Sequence, residues 1–214
     1  MWTGRAEGDL GPGAGADAPV RRRAVIDRPW AWLRQVHGAD VVVVTPGGVV
    51  EGLEADVLVS PPPEAAPGPD VALAVFTADC APLALASPEG VMAAVHAGWR
   101  GVVAGVVQAA ADAMRRAGAR AVTGALGPCI HAECYEFGAS ELGAVESAVG
   151  RPVGGRTSWG TSALDLPAAV AAAADSAGID VVFSSPVCTA CSPDLYSYRA
   201  REDAERQALV VWRD

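Results

Sequence analysis

Most of the soft-donor chemistry available to this 214-residue chain resides in three histidines and five cysteines. His37 lies in QVHGAD, Cys80 in FTADCAP and His96 in AAVHAGWRG, each where an apolar run gives way to a loop of small residues. The gaps of 43 and 16 residues match no short zinc motif. Strand ends far apart in sequence nevertheless converge readily in a sheet. Two imidazoles and a thiolate suit Zn²⁺, with copper (Cu²⁺) as the softer alternative, and three protein ligands leave a position open as in catalytic zinc sites. The same residues also fit hydrogen-bonded strand ends in an ordinary core. A second group competes: CIHAEC holds Cys129, His131 and Cys134, and CTAC holds Cys188 and Cys191. Together these read as a closed zinc site, or CTAC alone as a redox pair.

The elements that must position these donors follow from hydropathy. Short Val-rich runs predict strands over 30–36, 39–44, 55–60, 71–76, 82–87 and 91–96, several buried on both faces. Residues 102–118 predict one helix with arginines in its last turn and Gly118 as its cap. A strand over 121–127, helices over 138–150 and 164–178, and strands over 180–185 and 207–212 complete the pattern. The Gly/Ala/Pro-rich stretch 8–19 reads as a loop or poorly ordered arm, and 61–70 as a surface loop within one domain. Strands and helices alternate only in the second half. The expectation is therefore an α+β (α/β mixed) single domain over 1–214, with a mixed β-sheet core and packed helices.

Composition narrows the partners. A net charge of −9 argues against nucleic acid and anionic membrane, both of which call for a basic face. All 16 basic residues are Arg, so mechanisms needing a lysine Schiff base or a P-loop lysine are excluded. The first residues show no secretory signal and no apolar run reaches membrane-spanning length, which reads as a soluble cytoplasmic protein with free thiols.

Taken in order, WLRQVHGADVV, FTADCAPLAL, AAVHAGWRGVVAGVV, LGPCIHAECYEFG and CTACSPDLYSYRARED resemble the motifs of the YfiH family. These are the laccase-domain or polyphenol oxidase proteins, associated with purine nucleoside phosphorylase and adenosine deaminase activity. The resemblance covers about residues 30–214. It implies a CNF1/YfiH-like fold and a metal held by His37, Cys80 and His96. It implies no ligand role for the second group, so Cys188 and Cys191 are expected neither to pair as a disulfide nor to bind zinc. Residues 1–29 read as a shortened, atypical N-terminal segment, in which WTGRAEGDLG keeps Thr3, Arg5 and Gly8 but the SLN element is missing.

The implied activity assigns further roles. Phosphorolysis needs phosphate held near the sugar, a task for guanidinium groups: Arg100 first, then Arg5 and Arg199. Deamination needs an activated water, which a zinc ion supplies. Asp79 is a proton acceptor, a ligand orienter or a strand-end cap. Trp99 reads as packing more than stacking, and Tyr135, Tyr196 and Tyr198 as pocket-shaping, with Tyr198 a substrate contact. The expected partners are purine nucleosides and phosphate; the sequence leaves oligomeric state open. Two rival readings stand beside this one: a cysteine-type hydrolase of amide or peptidoglycan-precursor substrates with Cys80 as nucleophile and His96 as base, and an inactive metal-binding scaffold. With three histidines in the chain, multicopper oxidation is the weakest reading.

Overall fold

Side-chain alternation along the strands sets the layers of this protein, described from a computed structural model covering residues 1–45, 47–48, 50–65 and 70–213. The strands are β1 (Trp30–Arg34), β2 (Val41–Val43), β3 (Glu51–Glu54), β4 (Val57–Ser60), β5 (Ala72–Thr77) and β6 (Ala81–Ala86). They continue as β7 (Met92–Ala97), β8 (Val122–Leu126), β9 (Gly154–Arg156), β10 (Ser162–Leu164), β11 (Ile179–Ser184) and β12 (Gln207–Val211). The α-helices are α1 (Ala18–Val25), α2 (Trp99–Ala104), α3 (Val106–Arg116), α4 (Ala139–Val149), α5 (Leu166–Ser176) and α6 (Tyr198–Arg201).

A six-stranded sheet runs β11-β8-β6-β7-β4-β2 and a four-stranded sheet β12-β5-β1-β3, with β9 and β10 forming a separate hairpin. Both larger sheets mix parallel and antiparallel pairs. Because successive side chains point to opposite faces, Val57, Val59, Ala93 and Val95 pack with helices α3 and α5, while Leu58, Met92 and Ala94 pack against Leu73 and Val75 of the other sheet. The far face of the four-stranded sheet, with Ala72, Ala74 and Phe76, is covered by Leu10, Val25 and Ile26. The layers are thus helices, six-stranded sheet, four-stranded sheet and N-terminal cover.

That cover decides between a loop and a poorly ordered arm for residues 8–19, in favour of the loop, with α1 beginning at Ala18. The 8–19 stretch is held in place, with Leu10 fully buried and Arg21 and Arg22 donating to the carbonyls of Asp9, Leu10, Gly11 and Ala14. The single helix expected over 102–118 is two, because Gly105 takes a left-handed conformation (φ 85°) that caps α2 and starts α3. The surface loop of 61–70 includes a short 3₁₀ turn, Pro63–Ala65, and residues 66–69 lie outside the described residues. Among the described residues no helix is long and apolar enough to cross a membrane.

Two chain crossings matter most for the site. β1 and β5 are parallel neighbours in the four-stranded sheet, so they end at the same edge. From there each strand passes into the six-stranded sheet, β1 toward β2 and β5 directly into β6.

Candidate metal centre and its cavity

His37 and Cys80 occupy those two crossings. Cys80 therefore stands in a tight turn between sheets, where sequence reading saw the end of one strand. Gln35 fixes the spacing of the crossings: its side-chain amide donates to the Phe76 carbonyl and accepts from the Phe76 N–H, both at 2.8 Å, prolonging the strand pairing past β1. His37 (φ 60°) and Asp79 (φ 106°) both hold left-handed backbone conformations, which non-glycine residues seldom adopt. Such strain persists only where surrounding contacts over-determine it, and it gathers at functional sites. Here the contacts are visible. Asp56 accepts hydrogen bonds from the N–H groups of Val36, His37 and Gly38, while Asp79 accepts from the Thr189 hydroxyl and the Arg199 N–H at 2.7 Å each.

His96 arrives by strand register. Val57 pairs with Val95 in the antiparallel β4/β7 ladder, so the next pair outward is Asp56 and His96, and parity with Leu58 and Ala94 turns both toward the space between the sheets. The Asp56 carboxylate, fully buried, accepts the His96 Nδ1–H at 2.7 Å. That fixes the tautomer and leaves Nε2 as the free donor, the carboxylate–histidine–metal arrangement. His37 Nε2 lies 3.6 Å from Cys80 Sγ, and the two imidazole rings stand edge to face with centroids 4.8 Å apart. The donor atoms of His37, Cys80 and His96 all fall within 4.8 Å of one another. Two imidazoles and one sulfur at this spacing fit a tetrahedral zinc ion, needing only a small contraction, and leave a fourth position for substrate or water.

The electrostatics ask for a cation. Burial pushes the Cys80 thiol up, but the charge of His96 and hydrogen bonds with both histidines outweigh it and hold the thiol at about 6. Burial opposes charge on His96, yet the Cys80 thiolate and Asp56 raise it to about 9. Burial likewise penalises the Asp56 carboxylate, and its hydrogen bonds from His96 and the Gly38 N–H keep it below the usual carboxylate range. A thiolate and a buried carboxylate thus face a proton that a metal ion would displace.

Gly98 leaves the room. A Cβ built there would lie 2.8 Å from His37 Cδ2 and 2.9 Å from Cys80 Sγ, closer than such atoms approach. Its backbone (φ −75°, ψ 162°) suits any residue, so crowding is the sole objection to a side chain. Gly98→Ala is expected to weaken metal binding by about tenfold or more with the fold intact, a loss typical of disturbed ligand support. Competition titration against a chromophoric chelator reads it; unchanged affinity would show the donors have slack.

The triplet opens into a cavity of about 530 Å³, also lined by Asp79, Trp99, Arg100, Tyr135, Tyr198 and Arg199 among others. Arg100 is exposed, stacks at 4.4 Å on the Trp99 ring and has no carboxylate partner among the described residues. Arg199 lies over the Tyr135 ring at 5.1 Å. Trp99 does two jobs, packing edge-on against Phe137 (5.3 Å, 88°) and lining the cavity.

Other expected residues fall elsewhere. Arg5 donates to Asp203 and the Leu195 carbonyl, covers the Tyr196 ring and lines a different cavity, away from the donor triplet. Tyr196 is buried beneath it, outside the lining. Each Asp79 carboxylate oxygen accepts one hydrogen bond, so the side chain ties the Thr189 and Arg199 segments to the turn that presents Cys80. Sequence reading missed Asp56, Gln35 and Gly98. For Asp56 a signal existed: a lone acid opening a strand whose four residues are all buried.

A family model described as multi-copper polyphenol oxidoreductase laccase matches residues 17–214. A Streptomyces coelicolor protein named purine nucleoside phosphorylase is 44% identical over 187 residues, 86% of this chain and 74% of its own length. A Streptomyces griseus protein of the same name is 40% identical, covering 94% of this chain and 81% of its own. Among solved structures, a DUF152-family protein of Neisseria meningitidis superimposes with a TM-score of 0.77 at 28% identity, over 96% of this chain and 86% of that one. YfiH of Bacillus licheniformis gives 0.80 at 22% identity, over 94% and 84%, a likeness of fold. The chain belongs to this YfiH-like laccase-domain family, whose members include enzymes named as purine nucleoside phosphorylases.

Proposed function

We propose that this protein is a zinc-dependent purine nucleoside phosphorylase acting on adenosine, inosine and 5′-methylthioadenosine, with adenosine deaminase activity at the same site. The observation that carries the reading is a two-imidazole, one-sulfur donor set sharing one cavity with the Arg100 and Arg199 guanidinium groups, neither of which has a carboxylate partner among the described residues. The names of the relatives supply the substrate class.

His37, Cys80 and His96 would hold the ion, with Asp56 fixing the tautomer of His96. When bound, zinc supplies Lewis-acid polarisation of an oxygen or nitrogen in the cavity. The protein's own residues do the remainder. Arg100 and Arg199 offer paired N–H donors to phosphate, the geometry in which guanidinium binds oxyanions best. In phosphorolysis a phosphate oxygen bonds to the sugar C1′, the C1′–N9 bond breaks and the purine takes up a proton. The aromatic faces of Tyr135, Tyr198 and Trp99 suit the ring systems of the substrate. Asp79, through the Arg199 N–H, keeps that segment against the cavity.

Arg100→Ala tests the phosphate role. It is expected to spare metal content and weaken phosphate-dependent cleavage of inosine about 10- to 100-fold, the value of a charge-assisted hydrogen bond. Deamination of adenosine, which uses no phosphate, should change far less. Equal loss of both reactions would sink the assignment.

A further inference from the structure

Three members of the second cysteine group converge, although the family resemblance implies no ligand role for them. The sulfurs of Cys134, Cys188 and Cys191 lie within 4.8 Å of one another, with Cys134 and Cys191 at 3.3 Å. CTAC forms a turn that brings Cys188 and Cys191 together, closed by the Ser192 N–H on the Cys188 carbonyl. Cys134 comes from the neighbouring 3₁₀ turn, Ala132–Cys134. The His131 N–H donates to Cys188 Sγ at 3.4 Å, and the amides of Cys191 and Ala190 also point at that sulfur. Burial raises the Cys188 thiol above its ordinary value, and these amides work against that shift, toward the thiolate that ligates metals. Glu133 Oε1 is 4.0 Å from Cys191 Sγ and 3.7 Å from His131 Nδ1, and His131 Nε2 is buried with no hydrogen-bond partner.

We infer that Cys134, Cys188 and Cys191 form a second metal site, specific for a thiophilic divalent ion, Zn²⁺, with one donor of the His131–Glu133 pair in the fourth position. Three sulfurs converge where a disulfide needs two. Zinc–sulfur bonds of about 2.3 Å place tetrahedral ligands about 3.8 Å apart, within the spread present here. On binding, three S–H bonds break, three Zn–S bonds form and three protons pass to solvent. The ion would tie the segment ending in Tyr135 to the one carrying Thr189 and Arg199. Tyr135 and Arg199 line the nucleoside cavity, and Thr189 holds Asp79. This site would brace the cavity wall without entering the chemistry.

The test uses a His37→Ala, Cys80→Ser chain, which lacks the first centre, purified under reducing conditions and titrated with Zn²⁺ and Co²⁺. One equivalent of zinc and a cobalt–thiolate charge-transfer band are expected. Both should disappear on adding Cys134→Ser and Cys191→Ser, with circular dichroism confirming the fold. Wild type read by the same cobalt spectrum serves if the variants fail to fold, because the second site adds three thiolates to the one contributed by Cys80. No zinc on fully reduced thiols, or a Cys134–Cys191 disulfide in its place, would overturn the inference. Neither outcome touches the first centre, whose failure would appear as lost nucleoside cleavage with the second equivalent retained.

Discussion

Alanine at His37 is expected to abolish metal binding at the first centre and slow nucleoside cleavage by roughly a hundredfold or more, since Lewis-acid stabilisation is worth several kcal/mol and each 1.36 kcal/mol is a decade in rate. Cys80→Ser should do the same, and exhaustive chelation should reproduce both. The His37 variant is the more telling. A cysteine-nucleophile mechanism would need Cys80 and a base, which His96 with its Asp56 partner already provides, and His37 would matter little. Alkylation separates the two readings again. Iodoacetamide should modify Cys80 quickly in the metal-free protein, where the histidines hold its thiol at about 6, and slowly once zinc occupies the sulfur. Full turnover after complete metal removal would hand the chemistry to Cys80 and His96 as a dyad. Inductively coupled plasma mass spectrometry beside a nucleoside assay, with and without phosphate, reads every arm.

Asp56→Asn is expected to have the second largest effect, and to combine two losses. The carboxylate accepts four hydrogen bonds, three from the backbone around His37 and one from His96. An asparagine of the same shape turns an N–H₂ group toward donors and removes the charge facing His96. Breaking a buried, hydrogen-bonded pair costs about 3–5 kcal/mol, which for a domain of this size lowers Tm by roughly 6–20 °C. Metal affinity should fall about 10- to 100-fold as well, because the support of both histidine ligands rests on this one side chain. Calorimetry and a chelator titration check the two separately. A variant melting within a degree of the parent would show that Asp56 is dispensable to the fold.

Sequence alone exposed the donors because each stands where an apolar strand yields to small residues. A fold must give such positions to something, and soft donors there are conspicuous. While β3 and the β9–β10 hairpin were not legible, nine of the twelve strands among the described residues were, from their apolar runs and within about two residues. Their division between two sheets was not, since β5 and β7 are buried on both faces and read alike whichever sheet they join. β3 escaped notice because its four exposed residues, at the edge of the four-stranded sheet, carry no hydrophobic pattern. Asp56 and His96 are 40 residues apart, and only the β4/β7 register makes them opposite neighbours. The cysteine cluster was legible as a rival group, but which of its members meet was not: Cys134, Cys188 and Cys191 come together through turns that spacing does not encode.

His37 and Cys80 ride on chain crossings from one sheet to the other, while His96 belongs wholly to the second sheet. The donor triangle is therefore a gauge of the gap between the sheets. Residues filling that gap, such as Leu58, Val75 and Ala94, set its thickness, and dense interiors transmit a change of one methylene. Drift in this apolar layer is expected to be felt first as altered metal preference and only afterwards as lost stability. Selection on the ion would then reach well beyond its ligands, into aliphatic residues that never touch it.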